Sequence, residues 1–80
     1  MNKIRNPIDT IIAKAKDFYI EDNYVEEKKC YEKIWTVYKD NITTLTKLLN
    51  FQISIERWEA ALTTGLLIRE IRNSTDIINN

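Results

Sequence analysis

The segment from Trp58 to Ile71 places the strongest constraint on how this chain can fold. Its middle part, Ala60 to Ile68, carries no charged side chain and is apolar or small on every side of a helix. A helix at a protein surface shows water one polar face, so a helix that is apolar all round must be covered by its neighbours. The sequence therefore predicts that this segment is the central helix of a small all-α domain.

The first helix is marked at its start by Asn6 and Pro7. An Asn side chain can accept a hydrogen bond from the first turn of a helix, and Pro is favoured at the first helical position. Apolar residues then recur at helical spacing, at Ile8, Ile11, Ile12, Ala15, Phe18 and Tyr19. Together these signals predict a first helix over residues 7–21.

The second helix is expected to be long. An apolar face follows Asn23 and predicts one helix over residues 24–49, about 39 Å long at 1.5 Å per residue. Poor helix formers cluster at residues 40–44, so an alternative is that the helix breaks there. Asp40 or Asn41 would then cap a second helix. We expect a single helix and keep the broken one as the alternative.

The third helix is predicted over residues 55–72. Ser54 is the expected N-cap, and Ile53 with Trp58 would form a hydrophobic staple around it. Residues 73–80 are expected to be a tail. These boundaries leave the chain with three helices, or four if the second one breaks.

The expected fold is all-α, with residues 1–80 forming a single domain. We predict a small antiparallel three-helix bundle, a four-helix one, or a helical hairpin with a long second helix. Ala61 and Gly65 are four residues apart on the predicted central helix. Small residues at that spacing predict a close crossing with the second helix, which would compensate the roughly 1 kcal/mol that Gly costs inside a helix.

The charge balance limits the classes of function. The chain has twelve Lys and Arg residues and twelve Asp and Glu residues, so its formal net charge is zero. Nucleic-acid-binding proteins are usually basic, so this balance argues against that role. The chain has no apolar run of the ~20 residues that span a bilayer and no signal-peptide pattern, so we expect a cytoplasmic protein without a membrane partner.

Enzymatic activity is not expected. The chain has no His and a lone Cys30, so it offers neither the commonest general base nor a metal-ligand cluster. Glu56 and Glu59 have the ExxE spacing with which helical nucleotide pyrophosphohydrolases hold Mg²⁺. The nearest candidate for the required second pair, Glu70 with Asn73, lacks the Asp. We therefore predict no catalytic, cofactor-binding or metal-binding residues.

Two features indicate an interaction surface instead. Acidic side chains flank the first turn, and tyrosines recur every seven residues along the second helix with a tryptophan beside them. Tyr and Trp often anchor interfaces, a negative patch suits a basic partner, and a long helix left uncovered would suit a homodimer. The predicted partner-binding residues are Tyr24, Tyr31, Trp35, Tyr38, Asp17, Glu21, Glu26 and Glu27.

The function that these observations favour is protein binding without catalysis. We expect a small regulator or inhibitor of another protein, of the anti-defence type that phages and mobile elements encode, acting in the host cytoplasm. This rests on analogy with the class and not on a motif. Two alternatives stay open: a bacteriocin-immunity-like helical bundle, and a nucleic-acid-binding regulator that uses Lys3, Arg5, Lys14 and Lys16.

Overall fold

The protein is all-helical, as the sequence predicts. The computed structural model describes residues 6–79, with side-chain surroundings described for residues 6–74. Its helices are α1 (Pro7–Ile20), α2 (Tyr24–Val37), α3 (Ile42–Ser54) and α4 (Trp58–Asn79). Helix α1 packs mainly on α2, and α3 mainly on α4, so the chain forms two helical hairpins that share one core. None of the described helices has the length and apolar character needed to cross a membrane.

The single long second helix is wrong, and the broken alternative is confirmed. Helix α2 ends at Val37, and the amide of its C-cap residue Tyr38 donates to the carbonyl of Ile34 at 2.9 Å. The Asn41 side chain then caps α3 by accepting from the Thr44 amide at 3.0 Å. Asn41 favours this cap because its side chain competes for backbone hydrogen bonds that a continuous helix would use. The helix of about 39 Å, on which the homodimer expectation partly rested, does not exist.

Ser54 does not begin the next helix. It is the last residue of α3, and its hydroxyl donates to the carbonyl of Phe51 at 2.6 Å. Residues 51–53, which the predicted boundaries left between the second and third helices, are therefore helical. The staple of Ile53 and Trp58 is absent because both side chains are exposed. An apolar pair that stays in water cannot stabilise a helix start.

A tight turn joins α3 to α4. Glu56 has a φ of 61°, and its amide donates to the carbonyl of Ile53 at 3.0 Å. The amide of Arg57 donates to the carbonyl of Gln52 at 2.8 Å. This pair of bonds is a Schellman motif, in which a residue with left-handed backbone satisfies the last helical carbonyls. Helix α4 starts at the next residue, three positions later than predicted.

The turn between α1 and α2 is built in the same way. Asp22 has a φ of 62°, and its amide donates to the carbonyl of Tyr19 at 3.1 Å. The amide of Asn23 donates to the carbonyl of Phe18 at 2.8 Å, while the Asn23 side chain accepts from the Glu26 amide and caps α2. Both hairpins thus turn on an acidic residue with positive φ, where Gly is the usual choice.

Helix α4 is not covered on all sides, contrary to the prediction. Ala60, Ala61 and Ile68 are buried, but the Leu62 and Leu66 side chains are 65% and 51% exposed. The reason is that α4 packs mainly on α3, so only one of its faces meets the core. The helix also continues to Asn79 where a tail was expected.

Gly65 marks no close crossing. A Cβ atom built at this position would meet no other atom within 4 Å, and the contacts between α2 and α4 are sparse. The predicted backbone approach at Gly65 is therefore wrong. Since Gly65 has ordinary helical backbone, it only loosens the middle of α4.

Replacing Gly65 by Ala should stabilise the protein. Ala fits the free space and lowers the conformational entropy of the unfolded chain, so the free energy of unfolding should rise by about 0.5–1 kcal/mol. Urea denaturation followed by circular dichroism measures the change. A lower unfolding midpoint for Gly65→Ala would show that a neighbour does approach this position.

Candidate functional site

A buried ion pair joins the two hairpins. The Arg57 guanidinium, at the start of α4, donates from Nε to Glu27 Oε2 at 2.7 Å and from its terminal nitrogen to Glu27 Oε1 at 2.8 Å. The Glu27 side chain on α2 has no exposed surface, whereas that of Arg57 is 29% exposed. This bidentate contact gives each carboxylate oxygen a hydrogen-bond donor and fixes the distance between the hairpins.

Tyr31 completes the environment of the buried carboxylate. It is fully buried one turn after Glu27, and its hydroxyl donates to Glu27 Oε2. Burial, followed by this hydrogen bond to Glu27, raises the pKa of Tyr31 well above its ordinary value of 10. The hydrogen bond with Glu27 likewise raises the pKa of Arg57. Tyr31 is therefore neutral and Arg57 is charged at neutral pH.

Two tyrosine rings pack against the Arg57 guanidinium. Its central carbon is 5.1 Å from the ring centroid of Tyr19, at the end of α1, and 5.1 Å from that of Tyr24, at the start of α2. Both distances are within the range of a cation–π contact. Arg57 therefore ties the α1–α2 turn to the α3–α4 turn, and the two turns lie at the same end of the molecule.

This end carries apolar and acidic side chains in contact with water. Ile20, Val25 and Trp58 are 68%, 65% and 61% exposed, and the carboxylates beside the two turns are exposed as well. We call this surface the turn end and define it by Tyr19, Ile20, Glu21, Asp22, Tyr24, Val25, Glu56, Trp58 and Glu59.

A depression of about 380 Å³ lies within the turn end, between Tyr24 and Trp58. Glu56 and Glu59 line it, and the Arg57 charge at its base is matched by Glu27. The four exposed carboxylates therefore give the turn end a negative charge, with Lys28 as the neighbouring cation beside Tyr24. A basic side chain would find both carboxylates and aromatic faces here.

A second polar contact explains the position of Trp35. Its indole nitrogen donates to Thr64 Oγ1 at 2.8 Å, and the Thr64 hydroxyl donates to Gln52 Oε1 at 2.7 Å. Thr64 and Gln52 are fully buried, and Gln52 Nε2 has no partner among the described residues. The chain of bonds connects α2, α3 and α4. The Trp35 side chain is therefore half-buried, and its indole nitrogen is already hydrogen-bonded within the protein.

The predicted partner-binding residues separate into three groups. Tyr24 and Glu21 lie on the turn end, and Asp17 is exposed one turn earlier on α1. Tyr31 and Glu27 are fully buried and present no surface, because each satisfies the other's polar group inside the core. The remaining members are half-buried: Trp35, Tyr38 and Glu26.

Sequence reasoning missed Arg57 and Trp58 as site residues. Both were assigned to the interior of a helix that began at residue 55, where Trp58 would have been part of the staple. Nothing near Arg57 in the sequence indicates its partner, since Glu27 is thirty positions away. A signal for Trp58 was present, because a large aromatic residue beside a turn is a common interface anchor.

The ExxE pair does not form a helical metal site. Glu56 lies in the α3–α4 turn with positive φ, while Glu59 lies in the first turn of α4, so the two are not on one helical face. Among the side chains described for residues 6–74, no group of three or more His, Cys, Asp or Glu residues is arranged to hold a metal ion. Comparisons with protein-family models, curated proteins and solved structures found no match.

Removing Arg57 should destabilise the protein strongly. Arg57→Ala would leave the buried Glu27 carboxylate unpaired, which typically costs about 3–5 kcal/mol. Arg69→Ala, at an exposed position of α4, is the matched control and should change stability by less than about 0.5 kcal/mol. The double variant Glu27→Leu/Arg57→Met should recover much of the loss. Urea unfolding midpoints measure all three, and equal midpoints for Arg57→Ala and Arg69→Ala would contradict the structure.

Ionisation of Tyr31 should lower the stability of the protein at alkaline pH. The pKa of Tyr31 is raised in the folded state, so its contribution to the free energy of unfolding is complete below the unfolded-state pKa of about 10. That contribution is lost as the pH rises above this value. Above pH 10.5 the free energy of unfolding should fall by about 1.4 kcal/mol per pH unit more steeply in the wild type than in Tyr31→Phe. Urea titrations between about pH 9 and 11.5 compare the slopes. Parallel slopes would show that Tyr31 ionises freely in the folded state.

Proposed function

We propose that this chain is a small, non-enzymatic regulator or inhibitor that acts by binding a basic surface of another protein. The observation that carries the proposal is the turn end, where exposed aromatic and aliphatic side chains are surrounded by carboxylates. Isolated apolar side chains at a surface are ordinary, but a group at one end of a small domain is typical of an interaction site.

The aromatic part of the turn end would supply affinity. Trp58 is 61% exposed, and Tyr24 stands across the depression from it. Leu62 and Leu66 continue the apolar surface along α4 at four-residue spacing, about 12 Å from the first to the last position. A partner that covers this row would bury a tryptophan and two leucines, the kind of cluster that forms the centre of an interface.

The acidic part would select a basic partner. Glu21, Asp22, Glu56 and Glu59 are exposed around the apolar centre. Such a rim speeds association with a positive surface and disfavours acidic ones, whereas it adds less to final affinity. Proteins that bind nucleic acids present such basic surfaces, and an inhibitor of the phage or mobile-element type could act by occupying one of them.

The rigid base of the turn end supports the same function. Arg57 holds Tyr19 and Tyr24 in place through its two ring contacts and is itself held by Glu27. A preformed surface loses less conformational entropy on binding than a flexible one. The buried ion pair would therefore contribute to binding indirectly, by fixing the residues that touch the partner.

The test is affinity capture from the native host with the full chain as bait. The wild type should retain a specific protein with a basic surface, and Trp58→Ala should retain it at least about thirtyfold more weakly, as expected for an interface anchor. Glu56→Lys/Glu59→Lys should slow association and remove its dependence on salt. Quantitative mass spectrometry followed by binding kinetics with the purified partner measures both effects.

Matched variants away from the turn end serve as controls. Asp40→Lys/Glu70→Lys makes the same change of charge at exposed positions of the α2–α3 connection and of α4 and should leave retention unchanged. Retention of the same partner by wild type and Trp58→Ala with equal affinity would refute the proposal. Salt-sensitive retention of DNA by the purified chain would favour the nucleic-acid-binding alternative instead.

A further inference from the structure

A groove runs along the outside of the first hairpin, separate from the turn end. It has a volume of about 510 Å³ and lies between α1 and α2, with half-buried Ile11, Phe18 and Cys30 at its floor. On α1 its lining extends from Pro7 to Phe18, about 17 Å along the helix axis. The lining follows α1 for about three turns, which suits an extended chain better than a compact ring.

The rims of this α1–α2 groove are basic. Lys14 lines it from α1, and Lys29 and Lys33 line it from α2. Lys29 is engaged by Glu26 at 3.0 Å, whereas Lys14 and Lys33 form no ion pair with any described carboxylate. Two ammonium groups on opposite rims thus remain available above an apolar floor. An anion bound between them would be met from both helices.

Cys30 contributes to the floor as an apolar group. Burial raises the pKa of its thiol, which outweighs the opposite effect of Lys14 and Lys33. The thiol is therefore protonated at neutral pH and is a poor nucleophile. Its position is still useful, because it is the single Cys of the chain and reports on whether the groove is occupied.

We propose that the α1–α2 groove binds a single-chain anionic amphiphile, with the apolar chain on Ile11, Phe18 and Cys30 and the anionic head between Lys14 and Lys33. The volume lies in the range of small-molecule sites, which are mostly apolar with a few polar groups that orient the ligand. The unpaired Lys14 and Lys33 disfavour a cationic head, and a simple inorganic anion would leave the apolar floor uncovered. This site is independent of the protein partner proposed above.

The experiment measures how fast a thiol-specific reagent modifies Cys30 in the native chain. Dodecanoate and monododecyl phosphate, both below their micellar concentrations, are the two anionic probes and distinguish a carboxylate from a phosphate head. At tenfold its Kd, a probe in the groove should slow modification roughly tenfold. It should also raise the Tm, whereas a surfactant that unfolds the chain would lower it.

Two sets of controls test the assignment of residues. Dodecyltrimethylammonium has the same chain with a cationic head, and inorganic phosphate has an anionic head without a chain; neither should protect Cys30. Lys14→Glu/Lys33→Glu should weaken dodecanoate binding by about tenfold or more. Lys16→Glu/Lys28→Glu makes the same change of net charge at exposed positions outside the groove and should bind like the wild type.

Three results would overturn the proposal. Equal protection by the cationic amphiphile would show that charge plays no part, and equal binding by both double variants would show that Lys14 and Lys33 do not hold the head. Light scattering that gives a dimer without ligand, converted to a monomer by Lys14→Glu/Lys33→Glu, would assign the groove to a second copy of the chain. Failure of the capture experiment at the turn end would leave this proposal unaffected.

Discussion

The contact between Glu27 and Arg57 is the constraint on which the rest of this structure depends. A carboxylate without access to water needs a cation, and Arg57 reaches it only if the two hairpins stand side by side with their turns at one end. Replacing such a pair by apolar residues is often neutral for stability, so its main effect here is on geometry. Together with the Trp35–Thr64 hydrogen bond and the shared core, it specifies one arrangement of the two hairpins.

The same contact shapes the surface above it. Pairing with Glu27 neutralises Arg57 beneath the turn end, and the rings of Tyr19 and Tyr24 pack against its guanidinium. The carboxylates of the two turns are left as the dominant charges around Trp58. A buried ion pair thus produces an acidic, aromatic surface although the whole chain is neutral.

The neutral composition hides two regions of opposite charge. The turn end is negative around aromatic side chains, and the α1–α2 groove is positive above an apolar floor. A zero net charge argues against non-specific binding of nucleic acid, but it does not describe any single surface of the molecule. The two proposed sites differ in charge, in shape and in the type of ligand that they would accept.

The sequence by itself determined the all-helical class and the start of α1 at the cap Asn6, because these depend on residues within about four positions. The cap at Asn41 is just as local, but it belonged only to the alternative with a broken second helix. The sequence did not determine where α3 ends, since a Ser can cap a helix or bond back into one, as Ser54 does. Only the tertiary structure decided that Glu27 is buried and that α4 leaves one face in water. Both outcomes depend on packing between segments that are distant in sequence. A local sequence pattern does not specify which segments will be in contact.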